Sequence, residues 1–295
     1  MTVQILQFGT TGQLGVELLR QAPGHDVSVT ALSRAEADLS DPAGCAAKVR
    51  EVRPDVVVIA AAHTAVDLAE SETDLARAIN ATTPGAIAAA AAEVGAAVIN
   101  VSTDYVFDGD GGAPYAETAA TNPLNAYGRT KLEGESAVAA ANPRSLSIRT
   151  SWVVSPHGKN FVKTMLRVAA AGNPLKVVDD QSGRPTSAAD LAGFILAVAP
   201  KLSAAKAGDP LFGVVHFANS GEVTWRDFAI EIFAQALGDK APEVGGQKTA
   251  DYVTPARRPL RATMDLSRLE QVYGVTPRHW KEALRDIVAE LKVAT

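Results

Sequence analysis

The chain has a single cysteine, Cys45, among its 295 residues. An internal disulfide is therefore impossible, and this cysteine usage is typical of a reducing compartment, so we expect a cytoplasmic location. No apolar run is long enough to span a bilayer, which argues against a membrane partner. The opening stretch MTVQILQFGTTG is typical of a strand and a turn, and it lacks the basic end and cleavage site of a signal peptide.

Basic residues are also few, because 28 Lys and Arg stand against 33 Asp and Glu, for a net charge of −5. Nucleic acid binding needs a basic footprint, so this balance argues against a nucleic-acid partner. None of the five histidines pairs with another His, Cys or carboxylate at a metal-ligand spacing, and we predict no metal site. The absence of a G-x-S-x-G elbow argues against a serine hydrolase.

A glycine-rich turn stands near the start of the chain. The apolar stretch VQILQF at 3–8 predicts a strand, which leads through GTTGQLG at 9–15 into a predicted helix. A G-x-x-G-x-x-G turn at this place is typical of dinucleotide binding, because it lets the backbone approach a pyrophosphate that the helix N-terminus attracts. The alternative is a loop that only requires positive φ. The position at the first strand-to-helix turn favours a dinucleotide site.

The second predicted strand, residues 27–32, runs into Ser33 and Arg34. Folds that prefer NAD place an acidic residue there for the ribose 2′-hydroxyl, whereas an Arg suits the 2′-phosphate of NADP. We therefore predict NADPH as the cofactor and leave NADH open as a second one. The alternative for Arg34 is a solvated loop residue. Asp38 and Leu39 follow in a loop that could meet the adenine.

A second constellation begins where the predicted strand 97–102 ends at Thr103, and it continues on the helix that carries Tyr127 and Lys131. Residues four apart share a helix face, so the Tyr127 hydroxyl and the Lys131 ammonium can point into one cleft. A cation beside a phenol lowers the phenol pKa from about 10, which makes Tyr127 a usable acid or base. Thr103 could hold a substrate oxygen beside it. The alternative is a solvated helix face with a packed tyrosine.

Strands and helices alternate to residue 154, which predicts an α/β protein with a Rossmann-type doubly wound parallel sheet. We expect 1–154 to form a dinucleotide-binding domain that residues 187–217 rejoin. Residues 155–186 and 218–295 would form a smaller mixed α/β lobe that binds substrate. Within this scheme residues 80–94 are a predicted helix, 145–154 one unbroken strand and 201–209 a polar linker.

Eight stretches carry a closer resemblance; STDYVFDG and DQSGRPT are much more specific than the general motifs, and the stretch at 257–269 is a weaker match. They are GQLG at 12–15, AAHTAVDLAE at 61–70, STDYVFDG at 102–109, YGRTKLEGE at 127–135, RTSWV at 149–153, NFVKTML at 160–166, DQSGRPTS at 180–187 and RRPLRATMDLSRL at 257–269. Through them the chain resembles the extended short-chain dehydrogenase/reductase superfamily and, within it, the dTDP-4-dehydrorhamnose reductase family. The similarity covers nearly the whole chain.

The resemblance implies reduction, by NADPH or NADH, of the 4-keto group of dTDP-6-deoxy-L-lyxo-4-hexulose to give dTDP-L-rhamnose. It implies a catalytic set of Thr103, Tyr127 and Lys131, in which Tyr127 protonates the C4 oxygen while Lys131 lowers its pKa and holds ribose hydroxyls. Besides Tyr127, Lys131, Ser33 and Arg34, the implied dinucleotide contacts are Gly9, Gly12, Gln13, Leu14, Gly15, Asp38, Leu39, Ala61, Ala62 and Thr64. The implied sugar contacts are Val66, Asp67, Thr103, Asp104, Tyr105 and Trp152, for which a core aromatic is the alternative at Trp152.

The chain departs from the family pattern at His63, Leu68 and Val154, where the family usually has Tyr, Lys and an aromatic residue. These positions flank the sugar and nicotinamide ends, so they bear on the sugar and leave the reaction type unchanged. Some members form dimers bridged by magnesium through acidic residues. Ala188 and Ala189 follow the Pro-Thr motif here, which gives no support for that bridge.

Two other functions stay open at this point. The same fold serves reductases and epimerases that act on other nucleotide-linked 4-keto-6-deoxy sugars. It also serves a regulatory subunit that binds NADP without catalysis. An intact Thr103, Tyr127 and Lys131 set favours an enzyme, and Tyr105 stands where a dehydratase would need a second carboxylate. Monomer and homodimer are both compatible with the sequence.

Overall fold

A computed structural model of the chain describes residues 2–172 and 175–293. The outer bounds of the two predicted lobes, residues 1 and 295, lie outside the described residues. The strands are β1 Val3–Phe8, β2 Val27–Leu32, β3 Val56–Ile59, β4 Ala97–Thr103, β5 Ser145–Thr150, β6 Val153–Val154, β7 Leu175–Val178, β8 Ser182–Gly183, β9 Thr186–Ser187, β10 Gly213–His216, β11 Val223–Thr224 and β12 Val244–Gln247.

The helices are α1 Gln13–Gln21, α2 Pro42–Val52, α3 Leu68–Ser71, α4 Thr73–Arg77, α5 Thr83–Val94, α6 Ala126–Ala141, α7 Phe161–Ala170, α8 Ala188–Ala204, α9 Trp225–Leu237, α10 Ser267–Tyr273 and α11 Trp280–Val293. A π-helical turn, Ala78–Thr82, joins α4 to α5. Short 3₁₀ turns lie at Ala22–Gly24, Asp104–Val106, Gly238–Lys240 and Thr249–Asp251. Across the described ranges, none of these helices has the length and apolar character needed to cross a membrane.

Six strands form one parallel sheet in the order β2-β1-β3-β4-β5-β10. Helices α1, α8 and α10 cover one face through a core that includes Leu18, Ile195 and Tyr273. Helices α2, α5 and α6 cover the other face, where Cys45 and Ile87 are fully buried. The predicted Rossmann-type doubly wound sheet is confirmed. Both faces bury apolar residues because parallel strands are covered on each side by their crossover helices.

A smaller mixed lobe packs beside the carboxyl edge of this sheet. Its strands form three short pairs: β7 with β12 and β6 with β9 are parallel, whereas β8 with β11 is antiparallel. Helices α7, α9 and α11 enclose its core, in which Phe228, Phe233 and Leu284 are almost fully buried. The chain leaves the large sheet after β5 and returns to it at β10, where Gly213 pairs with Leu146.

Two local predictions are wrong for identifiable reasons. The stretch 145–154 is two strands, because Trp152 adopts a left-handed φ of 46° between them. The polar linker predicted at 201–209 begins too early, because α8 continues to Ala204. The Arg144 guanidinium donates hydrogen bonds to the carbonyls of Leu202 and Ser203, which satisfies the end of that helix.

The contact between α6 and the π-helical turn is close enough to require glycine. A Cβ placed on Gly134 would lie 2.0 Å from the backbone oxygen of Asn80. Asn80 itself is fully buried, accepts a hydrogen bond from the backbone N–H of His63 and donates to the Thr130 hydroxyl. The amide of Asn80 therefore ties the loop after β3 to the same helix.

We expect Gly134→Ala to lower the free energy of unfolding by about 1–3 kcal/mol, because the new methyl group overpacks a rigid backbone contact. The matched control is Gly193→Ala in α8, where a Cβ would lie 3.4 Å from the flexible Gln21 side chain. That change should be neutral or stabilise by up to about 1 kcal/mol, as for other helical glycines. Denaturant titration of both variants tests this, and equal effects would contradict the proposed close contact.

Candidate active site

The main cleft opens at the point where the strand order reverses. The chain crosses from β1 to β2 on one side, whereas β3 lies on the other side of β1. Ligands of open α/β sheets bind at such a point, outside the carboxyl ends of the strands. A cleft of about 780 Å³ lies there, and it is lined by the glycine turn, the loop after β3, the end of β4 and the start of α6.

The glycine turn has the geometry that the sequence predicts. Gly9 has a φ of +98°, and a Cβ there would lie 2.7 Å from Ala61. A Cβ on Gly15 would lie 2.4 Å from the Gly9 carbonyl oxygen, so the helix packs directly on the turn. Gly12 has open space where a Cβ would stand, and no side chain caps α1. The N-terminal N–H groups of α1 are thus positioned to receive the pyrophosphate of a dinucleotide.

Gln7 holds this turn in place, and the sequence analysis did not identify it. Its side chain is fully buried, and Nε2 donates to the carbonyl oxygens of Gly9 at 2.7 Å and Gly15 at 3.1 Å. The signal was present in the sequence, since a lone amide in a buried strand must find hydrogen-bond partners. Gln7 therefore fixes both ends of the glycine turn.

Gln13 connects the glycine turn to the smaller lobe. Its Nε2 donates to the carbonyl oxygen of Val153, and its Oε1 accepts hydrogen bonds from Ser155 Oγ and Asn160 Nδ2. The same loop contributes Gly158 and Lys159 to the cleft lining. One side chain of α1 thus sets the position of the loop that faces the dinucleotide site.

Three of the four dinucleotide contacts predicted after β2 line the cleft. Arg34, Asp38 and Leu39 line the cleft, and Arg34 Nε lies 3.1 Å from Asp38 Oδ2. Ser33 does not line it, because its N–H and hydroxyl both donate to the carboxylate of Glu36. Arg34 is largely exposed, so its guanidinium can leave Asp38 for a stronger anion.

The other predicted dinucleotide contacts all line the cleft. The group comprises Gly9, Gly12, Gln13, Leu14, Gly15, Ala61, Ala62 and Thr64, together with Tyr127 and Lys131. Small side chains after β3 keep the cleft open beside the turn, as a flat cofactor requires. Within the described residues, no group of three or more His, Cys, Asp or Glu side chains is placed to hold a metal ion.

The predicted catalytic set lies together at the far side of the cleft. Thr103 ends β4, while Tyr127 and Lys131 lie in the first turns of α6, which the Asn125 side chain caps by accepting from Gly128 N–H. The Thr103 hydroxyl donates to Asp104 Oδ1 at 3.1 Å and accepts the Tyr105 N–H, and it lines the same cleft as Tyr127. Lys131 Nζ donates to the Val101 carbonyl oxygen at 2.6 Å.

Burial sets the protonation states of these groups. It raises the pKa of Tyr127 to about 12, and the nearby Thr103 hydroxyl opposes part of that shift. It lowers the pKa of Lys131 to about 8, and the charge of Glu135 opposes that shift. The structure of the free chain therefore differs from the expected lowering of the Tyr127 pKa by Lys131. Tyr127 is a neutral phenol near neutral pH, which is the form that donates a proton.

Most of the predicted sugar contacts lie together in the cleft. Val66, Asp104, Tyr105 and Trp152 line the cleft, and the Tyr105 ring meets the Tyr127 ring edge-on at 5.7 Å. Trp152 stacks on Trp225, with ring centroids 3.5 Å apart. Trp225 also lines the cleft, and nothing local in the sequence could reveal it, because α9 begins 73 positions after Trp152 (225 − 152).

Asp67 is the predicted sugar residue that the structure does not bring into the lining. Its carboxylate forms a bidentate pair with Arg258, at 2.8 Å for the closer contact, and accepts the Ala256 N–H. A hydrogen bond from Arg258 holds the pKa of Asp67 below its usual range. The same guanidinium interacts with Tyr105, which lines the cleft.

The chain is similar to known proteins in both sequence and structure. A family profile described as the RmlD substrate binding domain matches residues 3–293. A protein from Escherichia coli K12 named dTDP-4-dehydrorhamnose reductase is 43% identical over 99% of both chains. This chain belongs to the dTDP-4-dehydrorhamnose reductase family.

Solved structures with that name share the fold of this reductase family member. One from Clostridium acetobutylicum has a TM-score of 0.91 at 39% identity and covers 98% of this chain and 99% of its own. Another, from Bacillus anthracis in complex with NADP, has a TM-score of 0.91 at 32% identity and covers 98% of this chain and all of its own. The predicted family resemblance is confirmed.

Gln7 holds the glycine turn of this reductase family member in place, so its replacement should affect cofactor binding. We expect Gln7→Met to weaken the binding of NADPH by about 10-fold, because the carbonyls of Gly9 and Gly15 lose their common donor. Fluorescence titration with NADPH measures this. Gln4→Met is the control, since it changes the same residue type at an exposed position of β1. If Gln7→Met bound NADPH as tightly as wild type, Gln7 would have no part in shaping the site.

Proposed function

We propose that the chain is an NADPH-dependent reductase that converts the 4-keto group of dTDP-6-deoxy-L-lyxo-4-hexulose to the alcohol of dTDP-L-rhamnose. One observation carries the proposal: Thr103, Tyr127 and Lys131 face the glycine turn across a single cleft. Relatives of nearly the same length bear the name of this reductase. A relative of known structure holds NADP, which supports the choice of cofactor.

The residues present fit the cofactor. The uncapped start of α1 and the open space at Gly12 suit a pyrophosphate. Arg34 would meet the 2′-phosphate, and Lys131 the ribose hydroxyls. When bound, the nicotinamide supplies the hydride for the substrate carbon. With these assignments the cleft has one part for the dinucleotide and another for the sugar, as a hydride transfer requires.

On the substrate side, the protein's task is to hold a carbonyl and to protonate it. Tyr127 would donate its phenolic proton to the C4 oxygen as negative charge develops there. Thr103 would hold the same oxygen. Enclosure of Tyr127 strengthens these hydrogen bonds, because a low-dielectric surrounding weakens electrostatic interactions less than water does. The neutral phenol near pH 7 supplies the acid that reduction of a ketone needs.

We assign the two domains and the sugar contacts from their positions in the chain. Residues 1–154, rejoined by 187–217, would form the dinucleotide-binding domain, and 155–186 with 218–295 the substrate-binding lobe. Val66, Asp104, Tyr105 and Trp152 would contact the dTDP-sugar. The one free, buried cysteine supports a cytoplasmic location. The chain would work as a monomer or a homodimer.

We expect the purified chain to oxidise one NADPH for each molecule of dTDP-6-deoxy-L-lyxo-4-hexulose consumed. Tyr127→Phe should lose activity by roughly 10²-fold or more, since it removes the proton donor and keeps the ring. Tyr273→Phe is the matched control, because it removes a buried hydroxyl that donates to the Leu211 carbonyl oxygen, and neither residue lines the cleft. Absorbance of the reduced nicotinamide follows the reaction.

The same assay separates the rival functions. Interconversion of the sugar without net loss of NADPH would indicate an epimerase. Tight NADPH binding without turnover of any dTDP-linked 4-keto sugar would indicate a binding-only protein. Activity with another keto sugar and none with this one would replace the substrate and keep the reductase chemistry.

A further inference from the structure

The loop between β6 and α7 brings a basic side chain from the smaller lobe to the dinucleotide cleft. Gly158 and Lys159 of this loop line the cleft. Lys159 is exposed, and it forms no hydrogen bond or ion pair with any residue that the structure describes. A charged side chain that faces a ligand cleft without a protein partner is available to a ligand group of opposite charge.

Three basic side chains are found among the described residues that line this cleft, and Lys159 differs from the other two. The Arg34 guanidinium contacts Asp38. Lys131 donates to the Val101 carbonyl oxygen. In the proposed cofactor complex, Arg34 meets the 2′-phosphate and Lys131 the ribose hydroxyls. Those contacts leave the pyrophosphate, which carries two negative charges, without a basic side chain.

The backbone around Lys159 is held against the start of α1. Asn160 Nδ2 donates to Gln13 Oε1 at 2.9 Å, and Gln13 is the first residue of that helix. A Cβ placed on Gly158 would lie 3.4 Å from Gln13 Cγ. The residues on both sides of Lys159 therefore lie beside the same end of α1. Because a lysine has a flexible four-carbon stem, its ammonium can reach the space in front of the helix N-terminus.

The carboxylates near this loop have other partners. His157 Nε2 lies 3.3 Å from Oε1 of Glu17, whose side chain is fully buried, and 3.8 Å from Oε1 of Glu290. Arg20 forms ion pairs with both of these carboxylates. The pair between His157 and Glu17 also anchors the loop to α1 a second time. The charge of Lys159 is therefore not neutralised by the acids beside it.

We propose that Lys159 binds the pyrophosphate of the dinucleotide from the side opposite the glycine turn. The inference rests on the proposed NADPH cofactor and is independent of the identity of the sugar. The start of α1 offers free N–H groups and the positive end of the helix dipole, with no acidic residue in its first turn. Lys159 adds a compact positive charge, which suits a phosphate oxygen. The pyrophosphate is then held by the large lobe and the smaller lobe together.

The first test measures the dissociation constants of NADPH and NADH by fluorescence titration of the full-length protein without sugar. Lys159→Gln should weaken the binding of both by a similar factor of about 10-fold, because both contain the pyrophosphate and a charge-assisted hydrogen bond is lost. Lys159→Arg keeps the charge and should restore most of the affinity. Lys206→Gln is the control, since it removes the charge of another exposed lysine, which does not line the cleft.

Arg34→Gln makes the comparison of the two dinucleotides more specific. It should weaken the binding of NADPH much more than that of NADH, because NADH lacks the 2′-phosphate. An effect of Lys159→Gln confined to NADPH would place Lys159 at the 2′-phosphate and overturn the inference. Unchanged affinity for both dinucleotides would also overturn it. The loss in Lys159→Gln should shrink as ionic strength rises, because salt screens exposed charges.

The second test uses dTDP, because the diphosphate of the sugar nucleotide has the same chemistry as the pyrophosphate of the cofactor. Wild type and Lys159→Gln should bind dTDP equally. If the variant bound dTDP more weakly and both dinucleotides normally, Lys159 would belong to the sugar nucleotide and the inference would be wrong. Wild type that binds NADPH without reducing the sugar would contradict the proposed reaction alone, and the titrations would still decide the role of Lys159. Wild type that binds neither dinucleotide would contradict both proposals.

Discussion

A buried ion pair between Glu135 and Arg149 fixes helix α6 on the sheet, and the candidate site depends on it. Both side chains are nearly inaccessible, at 6% and 5% exposure, and the guanidinium contacts both carboxylate oxygens. The Ser102 hydroxyl donates to the same carboxylate. Such a pair tolerates no loss of one partner, because an isolated buried charge is costly. Since Lys131 precedes Glu135 by about one turn, the pair also fixes the position of the α6 face that carries Tyr127 and Lys131.

Enclosure is the second constraint, and it acts in the same direction on three ionisable groups around the end of β4 and the start of α6. Tyr127, Lys131 and Asp104 all shift toward their neutral forms, because removal from water disfavours charge. The free site is thus prepared to give protons rather than to take them. Family membership and the neutral phenol lead independently to the same chemistry, the protonation of an oxygen during reduction.

The cleft itself exists because distant segments are held together by a few polar contacts. Gln13 joins the glycine turn to the loop before α7, and Arg258 joins the C-terminal part of the chain to Asp67. These contacts bridge 140 and 191 positions of sequence. They are partly buried, where polar groups left without partners would be costly. The two lobes are therefore coupled at both ends of the cleft.

Local patterns were sufficient to predict the sheet, the glycine turn and the shared face of Tyr127 and Lys131, because each depends on the period of a strand or helix. The family resemblance supplied the remaining site residues, and most of them line one cleft. Three features follow only from the tertiary structure. Arg258 pairs with Asp67, Trp225 lines the cleft, and Gln7 donates hydrogen bonds to the glycine turn. The tertiary structure also decided protonation, because desolvation depends on everything packed around a side chain and not on its neighbours in sequence. For that reason the sequence predicts the shared face of Tyr127 and Lys131, whereas the rise in the pKa of Tyr127 follows from its burial in the folded chain.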